Sequence, residues 1–399
     1  MYRIQEWRGH DLTKKMRKID NAFNLKEVKS ADEIPLVINT PCYFGFGNHP
    51  MPFDYWTNPA SMVRFQENAF ERHLSKVEDD TIPYFMPWFG TGVIASAFGC
   101  KIKDATGFGD DPGVISTCIS SVKDIAKLKI PDACKDGLMP KVLKFMDYAR
   151  ENSDLPVGLT DMNSPLCTAA QMCGYDNLFV WMYQEPEAVR DLFHIIEETF
   201  ISWVKIQKGH NGERHDQSNG LQGLWTPEGI GVWVSDDDLV SVDPELYEEF
   251  IVPVNGKIFE SFGGGFVHFC GNGLHQINNL IRTRNIRAVN NSPMGDFETF
   301  GKLTKGLAGR MGIIIQDAAP IDVEGYYTRL FNKVDDLRGI ILATFVEDTL
   351  GLTNEGRTMN VEWDPLDTAN RIVKTIRECV RLKLAGEEPT IEREKPKYL

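Results

Sequence analysis

Gly263-Gly264-Gly265-Phe266-Val267-His268-Phe269-Cys270-Gly271-Asn272-Gly273 is the stretch on which the fold turns. Three glycines end a helical pattern near Phe262, a short apolar run follows, and a second glycine-rich turn opens the next helix at about Leu274. The run reads as a buried strand, and on a strand His268 and Cys270, two apart, share one face. They stand at its C-terminal end, which in a parallel barrel is the end that carries chemistry. A soft thiolate and an imidazole converging on one point suit zinc. By residue type alone the pair also fits a buried thiol and a satisfied core histidine. Flanking glycines, which let backbone approach a ligand closely, weigh toward a site.

The same grammar extends in both directions. Ile34–Thr40, Thr81–Phe89, Leu155–Thr160 and Gly220–Trp225 read as four earlier strands, the last ending at Thr226-Pro-Glu228. Ile286–Asn290, Met311–Gln316 and Gly339–Phe345 read as three later ones. Helical spacing falls between them, most clearly in Glu187–Lys208, where Val189, Leu192, Phe193, Ile196, Phe200 and Val204 recur at three- and four-residue steps. Pro244 opens a helix running to Phe262, with an irregularity expected at Pro253. Strand-helix alternation means a parallel sheet, and eight such units predict an α/β fold of the (β/α)₈ TIM-barrel type with loop insertions. Residues 1–33 read as a helical arm, 34–385 as the barrel and 386–399 as a charged tail. No G-x-G-x-x-G opens a helix after an early strand, and no internal repeat is apparent.

Bulk properties narrow the function. With 43 basic and 57 acidic residues the chain carries a formal charge of −14, which argues against nucleic acid or an anionic membrane as partner. Met1–Lys18 is polar, so no signal peptide is expected, and no apolar run approaches the roughly 18–20 residues that span a bilayer. Eight scattered cysteines without paired spacing read as reduced thiols of a cytoplasmic protein.

Four pieces of sequence carry a family likeness: Phe85–Gly99, Pro156–Leu166, Asp237–Phe250 and His268-Phe-Cys-Gly271. Together they resemble the uroporphyrinogen decarboxylase superfamily, which also contains corrinoid-linked methyltransferases. The resemblance spans roughly residues 34–385, and His-x-Cys-Gly is its most specific element. It implies a barrel with its site at the C-terminal mouth. The decarboxylase branch implies arginines after the first strand, an aspartate ending the second and a histidine after the last. Here those places read Asn39–His49, Met86-Pro87-Trp88 and Val346-Glu347-Asp348. Arg282, Arg284 and Arg287 precede the sixth strand, at the opposite end.

The methyltransferase branch implies zinc held by His268, Cys270 and a later cysteine. The one later cysteine, Cys379, falls deep in the last helix. Glu347 is therefore the expected third ligand, with Asp348 and Asp317 as alternates, since zinc accepts carboxylate oxygen. Asp161, Asn163 and Glu347 are the expected catalytic groups, and Tyr43, His49, Trp88, Trp225, Glu228 and Asn290 the expected substrate contacts. Asn291, at the same strand end, is expected at the mouth too. The run Asp236-Asp237-Asp238 is expected to cap the helix at Pro244.

The leading functional expectation is zinc-dependent methyl transfer between a methylcorrinoid on a separate corrinoid protein and a thiol or related acceptor. Decarboxylation of a porphyrinogen or smaller carboxylate is the alternative, and a barrel that binds a corrinoid without catalysis is the third.

Overall fold

Six strands pair in parallel around most of a barrel, in the order first, eighth, seventh, sixth, fifth, fourth. They are Leu36–Asn39, Ile340–Phe345, Gly312–Ile315, Ile286–Ser292, Gly265–Cys270 and Val232–Ser235. The computed structural model describes residues 5–40, 51–105, 111–221 and 223–392. Its parallel sheet with helices outside is the expected α/β barrel class.

The second and third positions are filled by segments that make single parallel bridges, Phe85 with Val157 and Asn163 with Ser235. Their chemistry explains the loss of a ladder. Pro83 and Pro87 bracket Phe85, and proline has no N–H to give. Outer helices supply side-chain amides instead. Gln66, on helix Pro59–Leu74, bonds both the Met86 carbonyl (2.8 Å) and its N–H (2.9 Å). Gln207, on helix Pro186–Asn211, accepts from Thr160 N–H at 2.9 Å. Carboxylates close the seam between the second segment and the first strand. Asp80 accepts from Leu36 N–H (3.0 Å) and Asp79 from Ile38 N–H (2.8 Å).

The fourth strand corrects the sequence reading. Gly220–Trp225 is not in the sheet: Ser218–Leu221 and Leu224–Thr226 form an antiparallel hairpin of their own. Val232–Ser235 pairs with the fifth strand instead. The hairpin lies under the N-terminal ends of the strands. Its exit reaches Gly231, whose N–H bonds the carbonyl of Gly264, just ahead of the fifth strand. Tyr84 seats it, accepting from Gly223 N–H at 2.8 Å while its ring covers Gly220, where a Cβ would come within 2.1 Å. The hairpin thus forms a floor.

Helix Pro186–Asn211 buries all six apolar positions of its predicted stripe. The helix opened by Pro244 widens into a π-turn over Tyr247–Ile251 before continuing as Val252–Ser261. Pro253, which cannot donate back along the helix, accounts for that irregularity. The N-terminal helix Thr13–Phe23 buries Ile19, Ala22 and Phe23. Its Lys18 pairs with Asp80 at 2.9 Å, tying the arm to the barrel's seam.

Candidate metal-binding site at the mouth of the barrel

Strand register fixes which side chains face inward. A Cβ on Gly265 would strike Phe259 of the outer helix, so alternate residues Phe266, His268 and Cys270 turn into the barrel. His268 is in register with Ser235 and Asn290, and Phe345 with Asn39. Ser235 also bridges Asn163. Parallel partners share a face, so these residues line one interior layer at the strands' C-terminal ends.

Within that layer Asp237 Oδ1, His268 Nε2 and Cys270 Sγ converge. His268 Nε2 lies 3.8 Å from Cys270 Sγ and 3.8 Å from Asp237 Oδ1. The three donor atoms lie within 4.8 Å of one another, the one such group of three among the described residues. Glu347 is not in it. The eighth strand is separated from the fifth by the sixth and seventh, whereas the fourth, which leads into Asp237, is its direct neighbour. In the donor group the structure brings together, Asp237 stands where Glu347 was the expected third member.

Neighbours hold this triad in place. His268 Nδ1 meets Asn290 Oδ1 at 2.7 Å, and an amide oxygen can only accept, so Nδ1 carries the proton and Nε2 keeps its lone pair. Asn290 Nδ2 donates in turn to Gln316 Oε1 at 2.6 Å. Asn290 therefore orients the histidine, and its amide is not left for substrate. Asn291 is likewise engaged, donating to the Phe269 and Gly271 carbonyls. Cys270 N–H donates to Asp237 Oδ1 at 2.8 Å. Burial, and then the Asp237 charge, push the Cys270 thiol up to about 12.

The acidic run behaves differently from its expected capping role. Asp243 caps the Pro244 helix, accepting from Glu245 N–H at 2.8 Å. Asp236 is fully buried, accepting from Tyr247 Oη (2.7 Å) and Ser164 Oγ (2.8 Å) while its own N–H bonds the His268 carbonyl. Burial raises its carboxyl to about 7. It anchors the loop that presents Asp237. The sequence reading gives Asp237 to a helix cap because it places the fourth strand ten to twelve residues too early; carboxylates directly after Val232–Ser235 were the available signal.

Other expected site residues divide. Asp161 and Asn163 do face inward. Asp161 is buried, and burial followed by the Asp237 charge lifts its carboxyl to about 7. Its Oδ1 accepts from Ser235 Oγ at 3.4 Å, while Oδ2 has no partner. Asn163 Nδ2 and Asn39 Nδ2 are also buried and unpartnered. Glu347 is buried at the end of the eighth strand, and burial, then Asp348 and Asp111, raise its carboxyl to about 8. Asp317 is committed to its surroundings, accepting from Ser292 and Tyr326 hydroxyls and from Met294 N–H. Trp88 is buried with Nε1 on Asp111 at 2.9 Å. Trp225 and Glu228 are corrected: the first is in the floor hairpin, the second follows it and pairs with Arg214 at 3.3 Å, so both lie at the end opposite His268. Tyr43 and His49 lie outside the described residues.

Residues 50–212 match the family model Uroporphyrinogen decarboxylase (URO-D). No curated protein matches the chain. Among solved structures, a methyltransferase from Methanosarcina mazei shares the fold with a TM-score of 0.63, covering 92% of this chain and 99% of its own at 14% identity. Among the described residues no helix is long and apolar enough to cross a membrane. Residues 50–212 thus match the uroporphyrinogen decarboxylase family model, and the chain has a fold that a methyltransferase shares.

Proposed function

We propose that the protein is a zinc-dependent methyltransferase, moving a methyl group between a methylcorrinoid on a separate corrinoid protein and a small thiol or related acceptor. One observation carries the reading: Asp237, His268 and Cys270 bring oxygen, nitrogen and sulfur donors together at the open end of the barrel. A tetrahedral zinc with bonds of about 2.0–2.3 Å has donor separations of roughly 3.4–3.7 Å, close to the two 3.8 Å separations from His268 Nε2, with Asp237 and Cys270 within 4.8 Å of each other. Three protein donors leave a fourth position for a reactant. Bound there, zinc would lower the pKa of an acceptor thiol so that its thiolate forms near neutral pH.

The chain's own groups would do the rest. Asn290 keeps Nε2 of His268 as the donor, and Asp236 holds the Asp237 loop against the fifth strand. Asp161 turns an unpartnered carboxyl oxygen and Asn163 an unpartnered amide into the mouth, where they would orient the acceptor. A polycarboxylate substrate fits poorly, since no Lys or Arg occurs in Asn39–Asn58, Phe85–Gly92, Thr160–Pro165, Ser235–Asp243, His268–Leu274, Asn290–Phe297, Ile315–Asp322 or Phe345–Leu352, the segments leaving the strand ends. Uroporphyrinogen is accordingly expected to be a poor substrate.

Metal analysis of the purified full chain tests the reading. About one zinc per chain is expected, with loss in His268→Ala, Cys270→Ser and Asp237→Asn, and with demethylation of methylcobalamin by an added thiol lost in parallel. Wild-type protein that takes up no zinc would falsify it. Zinc retained in Asp237→Asn but lost in Glu347→Gln would return the third ligand to the eighth strand.

A further inference from the structure

The mouth holds polar groups that the metal triad does not use. Asp161 is 4% exposed and turns inward, with Oδ2 unpartnered. Asn39 and Asn163, 4% and 6% exposed, also face inward with Nδ2 unpartnered. Glu347 is 9% exposed, and no hydrogen bond reaches its carboxylate among the described residues. A buried polar atom without a partner costs on the order of 1–3 kcal/mol, and a bound molecule that supplies the partner recovers it.

The charges say which molecule. The eight strand-end segments hold not one Lys or Arg, and Asp161 and Glu347 stand in them as buried carboxyls outside the metal triad. No cation faces Asp161 or Glu347 among the described residues, so a bound cation would supply the charge partner both lack and let each release the proton that burial keeps on it, whereas an anion would not. A second metal ion does not answer the need. Neither Asp161 nor Glu347 belongs to a group of three donors within one ion's reach among the described residues. They stand on the third segment and the eighth strand, so the charge between them belongs to something larger than a bare ion.

We infer that the small-molecule substrate of this mouth is an organic cation, its ammonium-type head held by Asp161 and Glu347 and an oxygen acceptor on the same molecule met by Asn39 and Asn163. The inference rests on the methyl-transfer reading of the site and adds the charge of the reactant. A thiol accepted here carries an amine rather than a carboxylate, sulfonate or phosphate.

The test uses the full chain and three small probes in calorimetric titrations. Choline carries the cation and a hydroxyl, 3,3-dimethylbutan-1-ol has the same shape without the charge, and ethanesulfonate carries the opposite charge. Choline is expected to bind more tightly than its neutral isostere by about tenfold or more, and ethanesulfonate not to compete. Asp161→Asn and Glu347→Gln are each expected to cut that ratio severalfold while leaving the isostere's affinity unchanged. Should Asp161→Asn fail to fold, Glu347→Gln carries the comparison. Equal binding of choline and isostere, absence of binding by both, preference for ethanesulfonate, or an undiminished ratio in the variants would overturn the inference. Zinc content measured on the same samples separates the two readings. Zinc without cation preference removes this inference alone, whereas cation preference without zinc removes the methyl-transfer reading and leaves the cation site.

Discussion

Asn290 determines which nitrogen of His268 faces the mouth, and its contribution is separable from folding. Asn290→Ala removes the acceptor from Nδ1 at one end and the donor to Gln316 at the other. Zinc affinity is expected to fall by about 10–100-fold with the circular dichroism spectrum unchanged, measured by chelator competition. Glu347 gives a second test at this scale. Its carboxyl is raised from 4.5 to about 8, mainly by burial, so the folded chain keeps a proton that the unfolded chain releases. That contribution to stability is complete below pH 4.5 and is lost as pH rises through about 8. Glu347→Gln does not titrate. Relative to wild type, its melting temperature is expected to decline less between pH 5 and 8, and a parallel pair of curves would contradict the burial of an unpaired carboxyl there.

At the scale of elements, the glycines before the fifth strand serve conformation and space together. Gly264 has φ +148°, and a Cβ there would lie 2.2 Å from the Gly229 carbonyl oxygen. Gly264→Ala is expected to cost about 2–4 kcal/mol in denaturant unfolding, because the atom it strikes is backbone and cannot swing aside. This strand was legible in the sequence because glycine turns bound it on both sides and its His-x-Cys spacing survives any reading of register. The fourth strand was not. Gly-Leu and Leu-Trp on one side of Pro227, and Val-Trp-Val on the other, are both short apolar runs bounded by glycine. Periodicity cannot choose between them; the β-branched pair Val232 and Val234 was the better guide. Misplacing that strand hid Asp237, since a carboxylate gains meaning only from the strand end it follows. The direction of His268 was readable for the converse reason: its strand lies where the glycines place it, so parity set its face, while Asp161 and Asn163 follow a segment that makes single bridges.

For the whole molecule, closure depends on carboxylates where the ladder fails. Asp79 takes the Ile38 N–H, both donors of Thr81 and the His73 ring, all in the interior. Asp79→Ala is expected to cost roughly 3–5 kcal/mol and to raise hydrogen exchange first in Leu36–Asn39, ahead of the fifth and sixth strands. An exchange pattern uniform around the barrel would show that the seam is not its weak joint. The sequence could not announce this seam, because prolines 83 and 87 mark where a ladder stops without saying what replaces it.

The floor hairpin has a kinetic consequence. With Tyr84 wedged against Gly220 the floor hairpin lies under the strands, so on the proposed function a small molecule and a corrinoid protein covering the rim would both reach His268 from the C-terminal mouth. On the proposed function the two reactants form a queue. The small molecule must enter before its macromolecular partner arrives, and the methylated product waits until that partner leaves. Excess corrinoid protein is therefore expected to inhibit turnover at low concentrations of the small substrate and not at high ones. A floor open at the bottom would let the two exchange independently.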